Sequence, residues 1–425
     1  MSKILELIKK LFTTKLGRGT LVMVGGSFMV GGISFLFNPV MGNLLTIKEY
    51  GELVTILSLL IILSVPSLTL NTVLIKFSAS YQAQGDMASV KSLFVEASKK
   101  LFFASFVLLL ISWFSKDYIA QFLQIDDSNL LIYLGILTIV TIFFTINGAF
   151  LQGLLKFEAF TSASFLNSFL RIIFAAGLIY LGLNVRGALA GLILALFSAY
   201  LLTLVFLKKI LTFPGGQLVN WRKIFYFVGP AFSSLLGITI LSTVDIILVK
   251  HFFSPIEAGL YSAVTVTGRV IIFTCLPITQ VIFPVVVQRF EAGKPYHKFV
   301  VAGLIMTALI GATISLLYLL WPELVLKGFF FSRSSEYQAA GYLLAVYSVF
   351  ITLFSLNTLL TYLFLSLQKV KFSIAPLIAG VLQGILIWFF HQNLNQVIIV
   401  NIIANFLLLL VLSLYYWFNL KRVKK

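Results

Sequence analysis

Acidic residues are scarce in this sequence, whose 425 residues include 14 Asp and Glu against 31 Lys and Arg, for a formal net charge of +17. Charged residues of both signs make up only 11% of the chain, whereas 60% is hydrophobic and the mean hydropathy is +1.04. Soluble domains are about 25% charged and roughly 45–50% apolar. The composition therefore excludes a soluble fold and favours a polytopic membrane protein. Because no soluble segment is long enough to collect the basic residues, we expect no nucleic-acid partner.

Groups that commonly carry catalysis are few as well. The one cysteine, Cys275, lies in an apolar run, which excludes an internal disulfide and a cysteine-based metal site. The three histidines are isolated from one another, and no GxxxxGK[ST] or HExxH motif occurs. Asp126 and Asp127 are adjacent on a polar loop and are expected to be solvated. We therefore predict a protein that is not an enzyme and uses neither a metal nor a cofactor.

Twelve apolar stretches are long enough to cross a membrane as helices, which takes about 20 mainly apolar residues. The third has the shortest apolar core, because Lys99 and Lys100 stand at its start. Residues 1–19 are predicted to be a basic amphipathic lead-in and not a cleaved signal peptide. The sequence thus predicts an all-α integral membrane protein. Its predicted spans are 20–45, 53–75, 98–115, 129–154, 162–183, 187–207, 224–249, 257–288, 299–320, 339–366, 372–390 and 396–418.

The basic residues between the spans indicate the orientation of the chain. With a cytoplasmic N-terminus, 23 Lys and Arg lie in inside segments, 6 lie in outside segments, and two, Arg171 and Arg269, lie within spans. Lys and Arg near span ends are enriched on the cytoplasmic side of membranes. We therefore predict a multi-pass protein of the cytoplasmic (inner) cell membrane with both termini in the cytoplasm.

The two halves of the chain resemble each other at a fixed offset of 208 residues. Three pairs share this offset, and they lie at equivalent places in the predicted topology: Glu49 with Glu257, Gly51 with Gly259, and Gly85 with Gly293. Six spans in each half give both halves the same orientation, related by an axis along the membrane normal. The sequence predicts two lobes, 1–212 and 213–425, joined by a basic hinge at 208–223. Such duplication is typical of transporters.

Three ionisable residues lie within predicted spans: Arg171, Asp245 and Arg269. A charge at mid-bilayer costs on the order of 2.5–3.5 kcal/mol on insertion scales and usually faces a partner or a cavity. Asp245 could pair with a nearby cation and brace the fold. Two cations against one acid still leave a surplus cation, which an anionic ligand would neutralise.

Small and polar residues form continuous stripes on two spans. Such stripes serve close helix packing more often than ligand binding. The stripe on the first span nevertheless makes Asn38 a candidate contact for a polar ligand. The stripes are Ser27, Gly31, Ser34 and Asn38 on the first span, and Thr138, Thr141, Thr145, Gly148 and Gln152 on the fourth.

Residues 242–264, STVDIILVKHFFSPIEAGLYSAV, resemble a signature of polysaccharide flippases, with a late Asp in the seventh span followed by Glu257, Gly259 and Tyr261. Residues 282–294, IFPVVVQRFEAGK, and the loop KEYG at 48–51 are similar to further motifs of that group. The chain thus resembles the Wzx-like oligosaccharide flippases of the multidrug/oligosaccharidyl-lipid/polysaccharide exporter superfamily. It departs from the pattern at Ile246, where the family often has a basic residue.

The resemblance implies two six-helix lobes in a V, with the first, second, seventh and eighth helices around a cationic cavity. It also implies alternating access that carries a polyprenyl-diphosphate-linked oligosaccharide from the inner to the outer leaflet for surface polysaccharide synthesis. Expected partners are this substrate, membrane lipid and other polysaccharide-assembly proteins, for a protein that acts as a monomer. A drug or cation antiporter of the same superfamily and a peptidoglycan-precursor flippase stay open as alternatives. The expected substrate-binding residues are Arg269, Arg171, Asp245 and Asn38.

The charge bias yields a direct test of topology. Reporter fusions at Asp126 and Ser334 should report an outside location, whereas fusions in the 208–223 segment should report the cytoplasm. The two kinds of reporter, one active only outside and one only inside, serve as each other's control. A cytoplasmic signal at either Asp126 or Ser334 would contradict the twelve-span topology.

Overall fold

The computed structural model describes residues 15–214, 221–291, 294–366 and 374–420, and these ranges are helical with short connections. The predicted all-α class is confirmed for them. The helices are α1 Lys15–Leu44, α2 Ile47–Ala83, α3 Met87–Phe122, α4 Leu130–Gly153, α5 Phe157–Leu178, α6 Asn184–Leu211, α7 Trp221–Leu241, α8 Val244–Phe252, α9 Pro255–Gly268, α10 Val270–Glu291, α11 His297–Leu320, α12 Pro322–Phe329, α13 Ser334–Tyr337, α14 Gly341–Ser366, α15 Ala375–Phe389 and α16 Leu394–Tyr415.

Each of the twelve predicted spans coincides with helical structure, because a continuous apolar run can satisfy its backbone in lipid only as a helix. Two spans are each covered by two helices: α7 and α8, which are bent against each other, cover the seventh, and α9 and α10, which run on through Arg269, cover the eighth. By length and apolarity, seven helices within the described ranges could each cross a membrane, or eight if the bent pair α7–α8 is one span. The chain is therefore a multi-pass membrane protein.

The sequence repeat extends to the way in which two helices begin. At the start of α9, Ser254 and Glu257 form a capping box, in which each side chain bonds the other's backbone N–H. At the start of α2, Thr46 and Glu49 exchange the same pair of bonds, 208 residues earlier. Equivalent positions of the two halves thus have the same local structure.

The chain divides into two compact units, and each has its own core. Unit 1 comprises Met1–Leu45 and Leu63–Val228. Its core includes side chains of α3 and α4, where the rings of Phe94 and Phe150 meet edge to face at 5.1 Å. Helix α5 packs between α1 and α6.

Unit 2 comprises Thr46–Ile62 and Gly229–Lys425. Helix α14 is its centre, since α11, α16, α10 and α9 all pack on it. The first part of α2 belongs to this unit, although it precedes most of unit 1 in the sequence. The predicted lobes, 1–212 and 213–425, were derived from the internal sequence repeat, and their boundary stays a prediction. Residues 215–220 of the predicted hinge, and residues 1–14 of the predicted lead-in, lie outside the described ranges.

Large apolar side chains are exposed along the outer faces of the spans, as lipid contact requires. On α3 the exposed fraction is 75% for Phe103 and 80% for Phe114. This helix holds the third predicted span, whose start carries two lysines. The exposed rings support its assignment as a span.

The two adjacent loop carboxylates, Asp126 and Asp127, have different surroundings. Asp126 is exposed, as expected, whereas Asp127 accepts a hydrogen bond from the Arg186 guanidinium. This bond holds the pKa of Asp127 below its ordinary value. The pair lies at the surface, where such bridges add little stability.

A glycine contact in unit 1 gives a test of the packing. A Cβ at Gly191 on α6 would lie 2.5 Å from the Cα of Ala175 on α5. Gly191→Ala should therefore lower the thermal stability of the purified protein and its abundance in the membrane. Gly177→Ala is the matched control, because a Cβ there would meet nothing within 4 Å. Equal melting temperatures for the two variants would contradict the close approach of α5 and α6.

Candidate functional site

The seventh span is broken immediately before Asp245. The segments Phe232–Leu241 and Val244–Phe252 are bent by 43° with respect to each other. Nη2 of Arg269 donates a hydrogen bond to the carbonyl oxygen of Ser242 in this break, at 3.1 Å. A cation thus lies at the carbonyl end of α7, and the acid Asp245 lies in the first turn of α8. Both placements match the charges that helix ends favour.

Asp245 is fully buried and is held by neutral donors. Its Oδ2 accepts hydrogen bonds from the hydroxyl of Tyr261 at 2.7 Å and from Nδ2 of Asn401 at 3.1 Å. In the described part of the chain, no Lys or Arg nitrogen lies within 4.0 Å of the carboxylate. The acid therefore braces the second unit through a tyrosine and an asparagine, and not through a direct ion pair.

A chain of buried amides continues from this carboxylate into unit 2. Asn405 donates to the carbonyl oxygen of Asn401 at 3.0 Å and to Oε1 of Gln383 at 3.3 Å. Asn357 donates to the carbonyl oxygen of Asn405 at 2.8 Å, and Gln383 donates to the carbonyl oxygen of Leu241 at 3.2 Å. The last bond satisfies a carbonyl at the end of α7. The amides thus fix the broken end of α7 to α14, α15 and α16.

Sequence analysis missed these amides. Each stands alone in a long apolar span, and their partners are up to 156 residues away. Two signals were present: Asn401 and Asn405 are four residues apart on one face of α16, and Tyr261 is part of the recognised motif. Neither signal identifies Asp245 as the partner.

The eighth span runs through Arg269, where α9 and α10 meet: the backbone there is helical, and the N–H of Arg269 bonds the carbonyl oxygen of Thr265 at 3.1 Å. Pro277, a residue type that bends helices, lies further along, in α10. Gly268 allows a close approach, since a Cβ there would lie 2.5 Å from Cδ1 of Tyr347. Ser262 and Thr265, which helical spacing places on the face of Arg269, are buried and donate to carbonyls of their own helix. Arg269 itself keeps part of its surface exposed.

In unit 1, Arg171 lies on α5 against α1. Its Nη2 donates to the carbonyl oxygen of Ser34, and its guanidinium lies 5.0 Å from the ring centre of Phe37. The hydroxyls of Ser34 and Ser168 are 2.9 Å apart beside it. Among the described residues, no acceptor reaches its buried Nε and no carboxylate pairs with it. Its charge is therefore supported by dipoles and a ring alone.

The two small-residue stripes have different surroundings. On α1, Asn38 is half-buried, one turn after Ser34, and a Cβ at the exposed Gly31 would meet nothing within 4 Å among the described atoms. The side chain of Ser27 lies outside what the structure describes. On α4, a Cβ at Gly148 would lie 2.9 Å from Phe160, so this stripe serves packing. The α1 stripe is open at Gly31.

Residues 16–290 match the model of the family described as "Polysaccharide biosynthesis protein". No match was found among curated proteins. The fold is similar to that of a multidrug resistance MATE family transporter of the MOP superfamily in an inward-facing conformation, with TM-score 0.79 and 15% identity over 92% of this chain and 95% of that one. It is also similar to the lipid II flippase MurJ in an inward closed conformation, with TM-score 0.74 and 13% identity over 93% and 87%.

A third similar structure is that of the MATE multidrug transporter DinF-BH, with TM-score 0.70 and 15% identity over 95% of each chain. These likenesses, all far below 25% identity, show the fold alone: the chain folds like these solved structures. Because the family model covers more than half of the chain, the chain belongs to the polysaccharide biosynthesis protein family. The expected relation to proteins of polysaccharide biosynthesis is confirmed.

The hydroxyl of Tyr261 offers a test of the Asp245 site. Tyr261→Phe keeps the buried ring but removes a donor to the carboxylate, which should cost about 1.5–3 kcal/mol, as hydrogen bonds to charged groups do. The melting temperature of the purified protein should fall. Tyr180→Phe, at a side chain that is 77% exposed, is the control and should melt like the wild type. An unchanged melting temperature for Tyr261→Phe would contradict the assigned bond.

Proposed function

We propose that this protein is a flippase that carries polyprenyl-diphosphate-linked oligosaccharide from the inner to the outer leaflet by alternating access. Its family and its fold support a flippase of this superfamily. It acts as a monomer in the cytoplasmic membrane, with both termini in the cytoplasm, alongside other proteins of polysaccharide assembly. It is a carrier and not an enzyme.

The observation that carries this proposal is the pair of arginines within the spans. Arg171 and Arg269 are only partly exposed, and within the described ranges neither has a carboxylate in contact. Charges within a membrane are costly and are kept where they face a ligand or a pathway. A diphosphate supplies several anionic oxygens, which would compensate such a cation.

The two arginines have different surroundings. Arg269 lies on the eighth span and donates to a carbonyl in the break of the seventh span. It is the leading candidate for the diphosphate contact, and Arg171 is the second. Guanidinium groups match phosphate oxygens with two parallel donors, whereas a lysine acts as a point charge. Asp245 lies fully buried at the start of α8, beyond the same break, and Asn38 offers an amide to the sugars.

Two alternatives belong to the same fold. A drug or cation antiporter would need acids facing its cationic substrate, and arginines repel such a substrate. A peptidoglycan-precursor flippase would carry a similar lipid-linked anion and is distinguished by the glycan that it moves. The polysaccharide family of this chain favours the oligosaccharide substrate.

Deletion of the gene tests the function directly. Surface polysaccharide should be lost, and a lipid-linked oligosaccharide should accumulate on the cytoplasmic side of the membrane. Accumulation of a peptidoglycan precursor instead would favour the alternative flippase. Normal surface glycan in the deletion strain, with no accumulated lipid, would contradict the proposal.

Complementation of that strain tests the arginine. Arg269→Ala should abolish export at near-normal protein abundance, and Arg269→Lys should restore it only in part, because lysine lacks the paired donors. Arg186→Ala, at a surface arginine outside the spans, is the control and should export normally. If Arg269→Ala instead loses abundance and the exchange Asp245→Arg with Arg269→Asp restores it, the arginine is structural. Full export by Arg269→Ala would show that Arg269 does not contact the diphosphate.

A further inference from the structure

Three elements of unit 1 meet at the end that the charge bias predicts to be cytoplasmic: the start of α3, the turn between α4 and α5, and the end of α6. Buried side chains of all three belong to one core. Nζ of Lys156, in the turn, donates a hydrogen bond to the carbonyl oxygen of Phe206 on α6, at 2.8 Å. Nζ of Lys91 on α3 donates to the carbonyl oxygen of Phe213, just after α6. Two ammonium groups from different elements are therefore held at the end of α6.

Two further lysines, Lys208 and Lys209, stand in the last turn of α6 itself, and both side chains are exposed. Together with Lys91 and Lys156 they form what we call the lysine cluster. Partial burial, and then the charge of Lys209, hold the pKa of Lys156 below its ordinary value. The ammonium groups of the cluster thus lie close enough to repel one another.

Capping of α6 accounts for only part of the charge of the lysine cluster. The carbonyl end of a helix carries about half an elementary negative charge, which a single cation more than balances. Among residues 15–214, no carboxylate oxygen lies within 4.0 Å of an ammonium group of the cluster. Of the neighbouring acids, Asp86 caps α3 by accepting from the N–H of Ser89, and Glu158 is exposed. Direct ion pairs therefore leave the cluster positively charged.

Exposed apolar side chains border the lysine cluster. Leu155 directly precedes Lys156 and is 52% exposed, and Phe213, whose carbonyl oxygen Lys91 contacts, is 37% exposed. The backbone of Leu155 has φ +56°, in the left-handed region that leucine rarely adopts. The turn thus keeps a large apolar side chain at the surface beside an ammonium group. Apolar and cationic side chains together match the boundary between the acyl chains and the headgroups of a membrane.

We propose that the lysine cluster binds the phosphate of an anionic phospholipid headgroup in the cytoplasmic leaflet. Basic residues at the cytoplasmic ends of spans attract anionic lipid. An ammonium group has three N–H donors, so Lys91 and Lys156, although fixed by their bonds at the end of α6, keep donors for phosphate oxygens. The bound lipid links α3, the α4–α5 turn and α6. The inference goes beyond the proposed function, because it concerns a resident lipid and not the carried one.

The double variant Lys208→Gln with Lys209→Gln tests the lysine cluster, because it removes two charges and keeps the bonds from Lys91 and Lys156. Without added lipid, the purified variant in neutral detergent should melt like the wild type. Phosphatidylglycerol should raise the melting temperature of the wild type, since a ligand of the native state stabilises it by mass action. The double variant should need about tenfold more lipid for the same rise, since each lysine near an anionic lipid surface adds several-fold to the affinity.

The matched control is Lys116→Gln with Lys327→Gln, which removes two charges at the predicted outside end and should respond to phosphatidylglycerol like the wild type. Identical titrations for the wild type and the Lys208→Gln with Lys209→Gln variant would overturn the inference. So would an equal loss of response in the control, because the effect would then follow net charge and not the lysine cluster.

Two further additions identify the source of the phosphate. Phosphatidylcholine with the same acyl chains has no net charge, and inorganic phosphate is an anion without acyl chains. Neither should raise the melting temperature at the concentrations at which phosphatidylglycerol acts. An equal rise with inorganic phosphate would overturn the assignment to a lipid, and an equal rise with phosphatidylcholine would overturn the role of the lysine charges. Either result would leave the flippase function standing, since export is tested separately in cells.

Discussion

The cost of placing charge and unpaired polar groups within membrane-spanning helices is the constraint on which the rest of this structure depends. Asp245 is tolerated because a tyrosine and an asparagine donate to it, and Arg269 because a broken helix offers it a carbonyl. The amides of α14, α15 and α16 extend this compensation to the end of α7. Among the described residues, some buried polar atoms stay without a partner, including Nε of Arg171 and Oδ1 of Asp245.

The break in the seventh span joins the structural and functional roles. The break exposes backbone carbonyls that an unbroken helix would satisfy internally. Arg269 and Gln383 donate hydrogen bonds to two of these carbonyl oxygens. Arg269 reaches this break from the neighbouring eighth span, whose backbone stays helical at that residue. Discontinuous helices near binding sites are a recurrent feature of transporters. In this chain, the interruption allows one arginine to be held by the protein and still retain exposed surface.

Hydropathy and charge were sufficient to predict the helical class and the twelve spans, because lipid permits few backbone solutions. The 208-residue offset also anticipated a shared local structure, found in the capping boxes at Thr46 and Ser254. The division of the seventh span at Ser242 and the amide chain from Asn401 were not predictable. Both depend on contacts between helices far apart in sequence, and a single apolar span carries no sign of its neighbours. The contact between the rings of Tyr50 and Phe330, 5.7 Å apart, was missed for the same reason, since the two residues are some 280 positions apart in the sequence.

The central claim is that arginines within the spans carry an anionic lipid across the membrane. The most direct measurement uses purified protein in vesicles that contain polyprenyl-diphosphate-linked oligosaccharide, with transfer between leaflets followed by a glycan-specific probe that cannot enter the vesicles. Wild-type protein should make the inner-leaflet glycan accessible, and the double variant Arg171→Ala with Arg269→Ala should not. Equal transfer by the two proteins, or no transfer by the correctly inserted wild type, would contradict the account.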